Sequence, residues 1–292
     1  MRLEDVLAAY GALPQDEQRK TAELAAQVTK SMLWVPNPGP QLEAYLSEAD
    51  ELFYGGAAGG GKSDLLIGTA LNTAHRARIF RRNFKDIDGT GGLATRLAEI
   101  RGTWGGYHKQ NHVVRLGQDR EIEFAAFENA KEAEDYQGRP ADLYGYDEIT
   151  QFEEPLVRFL MTWNRSTKPG QRTRFIATGN PPVTAEGRWV VKYWGPWLDP
   201  SHPMYPVPPG ELRWVTTVAG EDVWYDNPDP VMVDGELVRK RSRTFIPAAL
   251  DDNPDLAERD DYRATLAALP EPYRSAMRDG NFGTALQDHD WQ

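Results

Sequence analysis

The chain has 292 residues, no cysteine, 40% hydrophobic and 26% charged residues, and a formal charge of −11. This is the balance of a globular protein with room for one large domain or two modest ones, and it excludes disulfides, thiolate metal sites and cysteine nucleophiles. No apolar run approaches the ~20 residues of a membrane span, and Glu4 and Asp5 stand where a signal peptide would carry positive charge, so neither a membrane nor export is expected.

Helical spacing of Leu3, Val6, Leu7 and Tyr10 predicts a first helix, and Pro14 opens a second over QDEQRKTAELAAQV. WVPNPGPQ (34–41) breaks the pattern and reads as a hinge. Strands and helices then alternate. ELFY (51–54) is a strand, SDLLIGTALNTA (63–74) a helix and RIF (78–80) a strand. HVVRLGQDREIEFAAF (112–127) is a hairpin turning near Gly117 and Gln118. DLYGYDE is a strand, EPLVRFLMTW a helix and RTRFIATG a strand. Such alternation predicts an α/β fold with a mainly parallel sheet flanked by helices.

After Pro181 the chain becomes dense in proline and tryptophan, with a hairpin over 213–225 and another turning at Asp234-Gly235. Two helices, 255–269 and 270–277, close it. The expected organisation is a helical segment over 1–40, a core over 41–182 and a lid-like extension over 183–292. The tryptophans of the extension read as its core rather than as stacking platforms for bases.

Charge is uneven along the chain. Residues 251–292 hold ten acidic and four basic side chains, while two short strips are basic: His75–Lys85, with Arg76, Arg78, Arg81, Arg82 and Lys85, and Arg239–Arg243. Overall acidity argues against a nucleic-acid coat, yet a local strip can grip a phosphate backbone. Each strip also reads as ordinary solvated surface. His108 and His112 are four apart, but Gly105 and Gly106 ahead of them place them in a loop entering a strand rather than on a metal-binding helix.

The segment from Gly56 to Ser63, GAAGGGKS, fits the phosphate-loop pattern G-x-x-x-x-G-K-[ST] and lies between a predicted strand and a predicted helix. Its glycines, Gly56, Gly59, Gly60 and Gly61, with Ala57 and Ala58, allow backbone N–H groups to surround a phosphate chain. Lys62 would place its charge on the terminal phosphates and Ser63 its hydroxyl on Mg²⁺, while the helix through Asp64 aims its positive end at the same anion. Asp147 and Glu148, at the end of a predicted strand, supply a second metal anchor and a group to polarise water. No N-K-x-D string occurs, so ATP rather than GTP is expected. Asn180, after RTRFIAT, can contact the γ-phosphate or the water, or sit in an ordinary turn.

The order of these pieces resembles the ATPase portion of the large terminase subunit of tailed bacteriophages, the motor that packs DNA into a procapsid. FYGGAAGGGKS (53–63), RIFRRNF (78–84), YQGRPADLYGYDE (136–148) and ATGNPP (177–182) carry the resemblance, with weaker support from 251–282. It implies a RecA-like P-loop fold of the ASCE type that binds ATP and Mg²⁺. The partners it implies are duplex DNA, other copies in a ring, a portal protein and a small terminase subunit, in the host cytoplasm. Gln41 resembles the glutamine that reads adenine. Arg139 resembles the arginine that reaches into a neighbour's site, and a salt bridge to Asp142 is the alternative. Asn180 resembles the residue coupling phosphate release to motion. Many relatives carry an arginine in the loop, where this chain has Ala57 and Ala58. A C-terminal nuclease built on clustered carboxylates would be expected to begin where the chain stops, and Asp288 and Asp290 are too few for it, so no cleavage activity is expected. A helicase, or a docking module that binds ATP with little turnover, are the rival readings.

Overall fold

The computed structural model describes residues 8–253, 256 and 259–283. The helix expected on Leu3, Val6 and Leu7 and the terminal carboxylates Asp288 and Asp290 lie outside the described residues.

β1 (Glu51–Gly56), β2 (Arg76–Arg81), β5 (Arg120–Ala126), β6 (Leu143–Tyr146), β7 (Arg174–Gly179) and β12 (Arg241–Ala248) pair in parallel in the order β5-β2-β6-β7-β1-β12. β1, β6 and β7 are buried along their whole length, as parallel strands covered on both faces must be. One core, around Phe53, Phe80, Tyr146, Phe175 and Trp194, fills one side of the sheet. The other is built from Leu65, Leu66, Leu71, Ile79 and Ile176, with the leucines coming from the helix Lys62–Thr73.

Antiparallel strands extend both edges. β3 (Tyr107–His108) and β4 (Val113–Leu116) continue beyond β5, and β8 (Arg213–Val218) and β9 (Glu221–Tyr225) beyond β12. The hairpins expected near Gly117 and over 213–225 are present, with Leu116 opposite Arg120 and Trp214 opposite Tyr225. β10 (Val231–Val233) and β11 (Glu236–Val238) form a separate hairpin. Its Asp234 and Gly235 have φ of 50° and 84°, the left-handed pair that a tight two-residue turn demands.

Two expectations need correction. Residue 182 is not where the sheet ends, because β12 lies beside β1 in register, with Glu51 opposite Arg243 and Gly56 opposite Ala248. Residues 183–248 therefore complete the sheet, and what lies over the phosphate loop comes from 249–283. The Trp194 and Trp197 side chains are buried in the main core rather than in one of a separate lid. A sequence pattern shows that a strand exists but not which strand it pairs with, so a late parallel strand is easily assigned to the wrong body.

The basic strips are also mostly spent internally. Arg76 pairs with Glu121 at 2.7 Å, Arg78 with Glu123 at 2.8 Å, and Arg82 donates to the Gln151 carbonyl at 2.5 Å. Arg241 and Arg243 both pair with Glu51, at 2.7 and 2.6 Å, and Arg239 lies 3.4 Å from Asp50. Arg243 also stacks 3.5 Å over the Tyr193 ring and pairs with Asp222 at 2.7 Å. Within the second strip Arg243 is thus a buried tie between β1, β12 and β9, while Arg239 stays exposed.

The helix Gln15–Lys30 buries no residue. The segment after it docks through Trp34, whose N–H and that of Leu33 both donate to Asn72 Oδ1. The 34–41 stretch is no plain hinge, since the short helix Pro40–Leu46 begins within it and buries Gln41 and Ala44.

Candidate nucleotide site

The loop from Gly56 to Gly61 leaves the carboxyl end of β1 and runs into the helix Lys62–Thr73. Gly56, at φ +151°, passes so close to the Ala248 carbonyl that any Cβ would collide with it. Gly61 caps the helix at φ +70°, a left-handed conformation that a side chain would strain. Tyr54, buried in β1, donates its hydroxyl to the Gly60 carbonyl at 2.9 Å and so fixes the loop from below.

Among the described residues the Ala57 and Ala58 N–H groups are used internally, donating to Ala248 O and Met277 O at 2.9 and 2.7 Å. Within the same residues no backbone carbonyl takes the N–H of Gly59, Gly60 or Gly61. The first N–H groups of the helix that follows, at Lys62, Ser63 and Asp64, have no intrahelical partner by construction. These amides line a cleft of about 400 Å³ together with Lys62, Glu148 and Asn180. Lys62 is buried and rests its Nζ 2.5 Å from the Ala57 carbonyl. Burial pulls its pKa down, opposed by the Glu148 and Asp147 carboxylates.

Ser63 donates its hydroxyl to Asp147 Oδ2 at 2.9 Å. Asp147 is buried after β6, with Oδ1 accepting from Thr178 of β7 at 2.7 Å and Oδ2 lying 3.2 Å from Arg81 Nη1 at the end of β2. Arg81 is also 3.9 Å from Glu148 Oε1. Glu148 sits at φ 59°, ψ 53°, a left-handed conformation uncommon for a residue with a side chain and one that recurs at functional sites. Burial first, then the neighbouring Asp147 charge, pushes its carboxyl above the usual range, while Lys62, Arg81 and the Asn180 N–H work the other way. Asn180 Oδ1 is buried with no partner among the described residues.

The donor set suits a magnesium–nucleotide. Orphan amides and an ammonium match phosphate oxygens, a serine hydroxyl beside a carboxylate matches a hard cation, and the unpaired Asn180 oxygen awaits a hydrogen-bond donor.

The remaining expected residues are placed differently. Gln41 is 2% exposed, with Oε1 accepting from Asn37 N at 2.6 Å and Nε2 donating to Gly61 O at 2.9 Å. It fastens the short helix to the loop, and both its polar atoms are already engaged. The Asp64 carboxylate turns to Arg96, which binds it with two nitrogens at 2.7 Å each. Arg139 precedes β6 and packs against Arg78 of β2 and Glu123 of β5, strands set away from β1 in the sheet. It pairs with Glu123 at 2.7 Å rather than with Asp142, whose oxygens accept from the His75 and Arg76 N–H groups. Arg139 borders a larger cleft of about 640 Å³ with Arg76, Arg78 and Glu121. Among the described residues that cleft holds no glycine loop and no acid pair at a strand's carboxyl end, whereas the smaller one holds the loop and Glu148.

Arg81, Thr178 and Arg96 were not singled out by sequence reasoning. Arg81 stands inside a segment that was, but its role follows from register: Phe80 opposite Tyr146 sets Arg81 beside the acid pair.

A parallel sheet in which the glycine-loop strand β1 and the strand before the acid pair, β6, are separated by one strand, β7, followed by Asn180, has the arrangement of a RecA-like P-loop fold. No protein family and no curated protein matches the sequence. Among solved structures, the chain resembles the large terminase of a thermophilic bacteriophage. In complex with ADP, that protein aligns at a TM-score of 0.53 and 12% identity over 83% of this chain and 53% of the other. In complex with ATP-γ-S it aligns at 0.51 and 14% over 85% and 53%. The chain thus shares the fold of part of that large terminase and spans about half its length.

Proposed function

We propose that this chain is the ATP-hydrolysing motor portion of a viral DNA-packaging terminase. The observation that carries the reading is the Ser63–Asp147 contact beneath the orphan amides of the loop, with Glu148 next in sequence and Asn180 facing the same cleft. The thermophilic phage terminase, which has this fold, was solved with ADP and with ATP-γ-S.

In this reading the amides of residues 59–64 and the Lys62 ammonium bind the polyphosphate. Mg²⁺, when bound through Ser63 and the Asp147 side, would neutralise charge on the phosphate oxygens. Glu148 accepts the proton of the attacking water, a task its raised pKa favours. Asn180 contacts that water or the leaving phosphate and transmits its loss along β7. Arg139, held by Glu123 and outside the loop's own cleft, acts in a ring of assembled copies on a neighbour's loop. Duplex DNA is the substrate moved, with a portal protein and a small terminase subunit as partners in the host cytoplasm. The described residues of 259–283, which touch the loop through Met277 O, follow the nucleotide state.

Calorimetry with ADP and ATP-γ-S tests the core of this. Lys62→Ala should abolish binding, and Glu148→Gln should retain it while turnover disappears. Unchanged affinity in Lys62→Ala would falsify the phosphate site. Turnover measured against protein concentration, with and without duplex DNA, tests the motor. Arg139→Ala should lose only the concentration-dependent part, and equal loss in dilute monomer would count against action on a neighbour.

A further inference from the structure

The nucleotide cleft is poor in positive charge for what it is built to hold. Lys62 lies in the field of the Asp147 and Glu148 carboxylates, Asp64 also borders the cleft, and the loop from Gly56 to Gly61 carries no charged side chain of its own. A polyphosphate adds further negative charge. Two arginines from outside the loop offset this. Arg81 is committed to the acid pair, 3.2 Å from Asp147. Arg96, on the helix Leu93–Arg101, borders the cleft itself.

Arg96 is held in place with care. Its Nε and Nη2 bind the two Asp64 oxygens at 2.7 Å each, and Nη1 binds Glu99 at 2.9 Å. Three of its five N–H donors are thereby used and two remain. Its side chain is 40% exposed, so the outer edge of the guanidinium is open. Asp64 directly follows Ser63 in the first turn of the loop helix, so the carboxylate anchoring Arg96 is itself fixed by the loop.

Building on the nucleotide-site reading, we infer that Arg96 is a phosphate-binding residue of this site, presented by Asp64 and supplying positive charge from a neighbouring helix. A guanidinium clamped on one edge loses little freedom when its other edge meets a phosphate oxygen, and planar N–H pairs suit that anion better than a lysine does. Asp64 then serves twice: its N–H faces the phosphate, and its carboxylate aims the arginine.

A merely neutralising role, in which Arg96 only cancels Asp64, is separable by a double substitution. With ADP as the calorimetric probe, Arg96→Gln should weaken binding about tenfold or more, the loss of a charge-assisted contact. The double variant Asp64→Asn with Arg96→Gln removes one charge of each sign, and it should keep that loss. Recovery of the unsubstituted affinity in the double variant, or no loss in Arg96→Gln, overturns the assignment. Both side chains lie at the cleft's rim, so the fold is expected to tolerate the exchange. If Arg96→Gln alone does not fold, the double variant, free of an unpaired Asp64, decides the question by itself. Lys62→Ala measured alongside distinguishes the two readings: retained ADP binding there defeats the phosphate site as a whole, whereas its loss together with a neutral result at Arg96 defeats only this inference.

Discussion

Ser63 and Asp147, 84 residues apart, meet through a hydrogen bond of 2.9 Å. One begins the helix after β1 and the other ends β6, with β7 between the two strands. Thr178, on that intervening strand, grips the second Asp147 oxygen at 2.7 Å. The aspartate is thus oriented from both sides before any cation arrives.

That arrangement predicts the effect of Thr178→Val, which keeps the shape of the side chain and removes the donor. The substitution leaves a buried carboxylate oxygen without its partner, a loss of about 1.5–3 kcal/mol for a bond to a charged group. Turnover should then need about tenfold more Mg²⁺ for half-saturation, with ADP affinity in the absence of metal little changed. A titration of turnover against Mg²⁺ that matches the unsubstituted protein would count against the metal role of Asp147.

The pH dependence follows from Glu148. Its folded pKa lies above the ordinary glutamate value of 4.5, through burial and the Asp147 charge. As pH falls through that raised value the base becomes protonated, so the acid limb of the rate profile should lie above 4.5. A limb at or below the ordinary value would argue for another base. Glu148→Gln should remove the limb and lower turnover by about 10²–10⁴-fold.

Arg81 allows a sharper form of the same test. Its charge pulls the Glu148 pKa down. Arg81→Met takes that charge away, so the acid limb should move to higher pH while ADP remains bound. A rate loss at every pH with no displacement of the limb would mean that Arg81 only supports the strand.

Arg243 carries a stability prediction. It is 2% exposed and paired with Glu51 and Asp222. Arg243→Ala takes from Glu51 and Asp222 their most buried partner, leaving the more exposed Arg241 and Arg158 beside them, and should cost about 3–5 kcal/mol, read from denaturant unfolding. A change below about 1 kcal/mol, the range of exposed pairs, would show that water reaches the cluster.

Much of this protein was legible along the chain. The spacing of Gly56, Gly61, Lys62 and Ser63 gives a phosphate-loop pattern, and in the structure it is a short link from strand to helix with Gly56 and Gly61 in conformations that favour glycine. Alternation fixed the hairpins at Gly117 and Asp234, since turn chemistry is local. What the tertiary structure alone decided is pairing across long intervals. It brought β12 beside β1, buried Arg243 against Glu51 and Asp222, sent Arg139 to Glu123, and placed Arg81, Thr178 and Arg96 around the acid pair and the loop. None of these leaves a mark in local pattern, because an arginine has the same sequence signature whether it ends in solvent, in a carboxylate's grip or against a phosphate, and the parallel register between distant strands makes the choice.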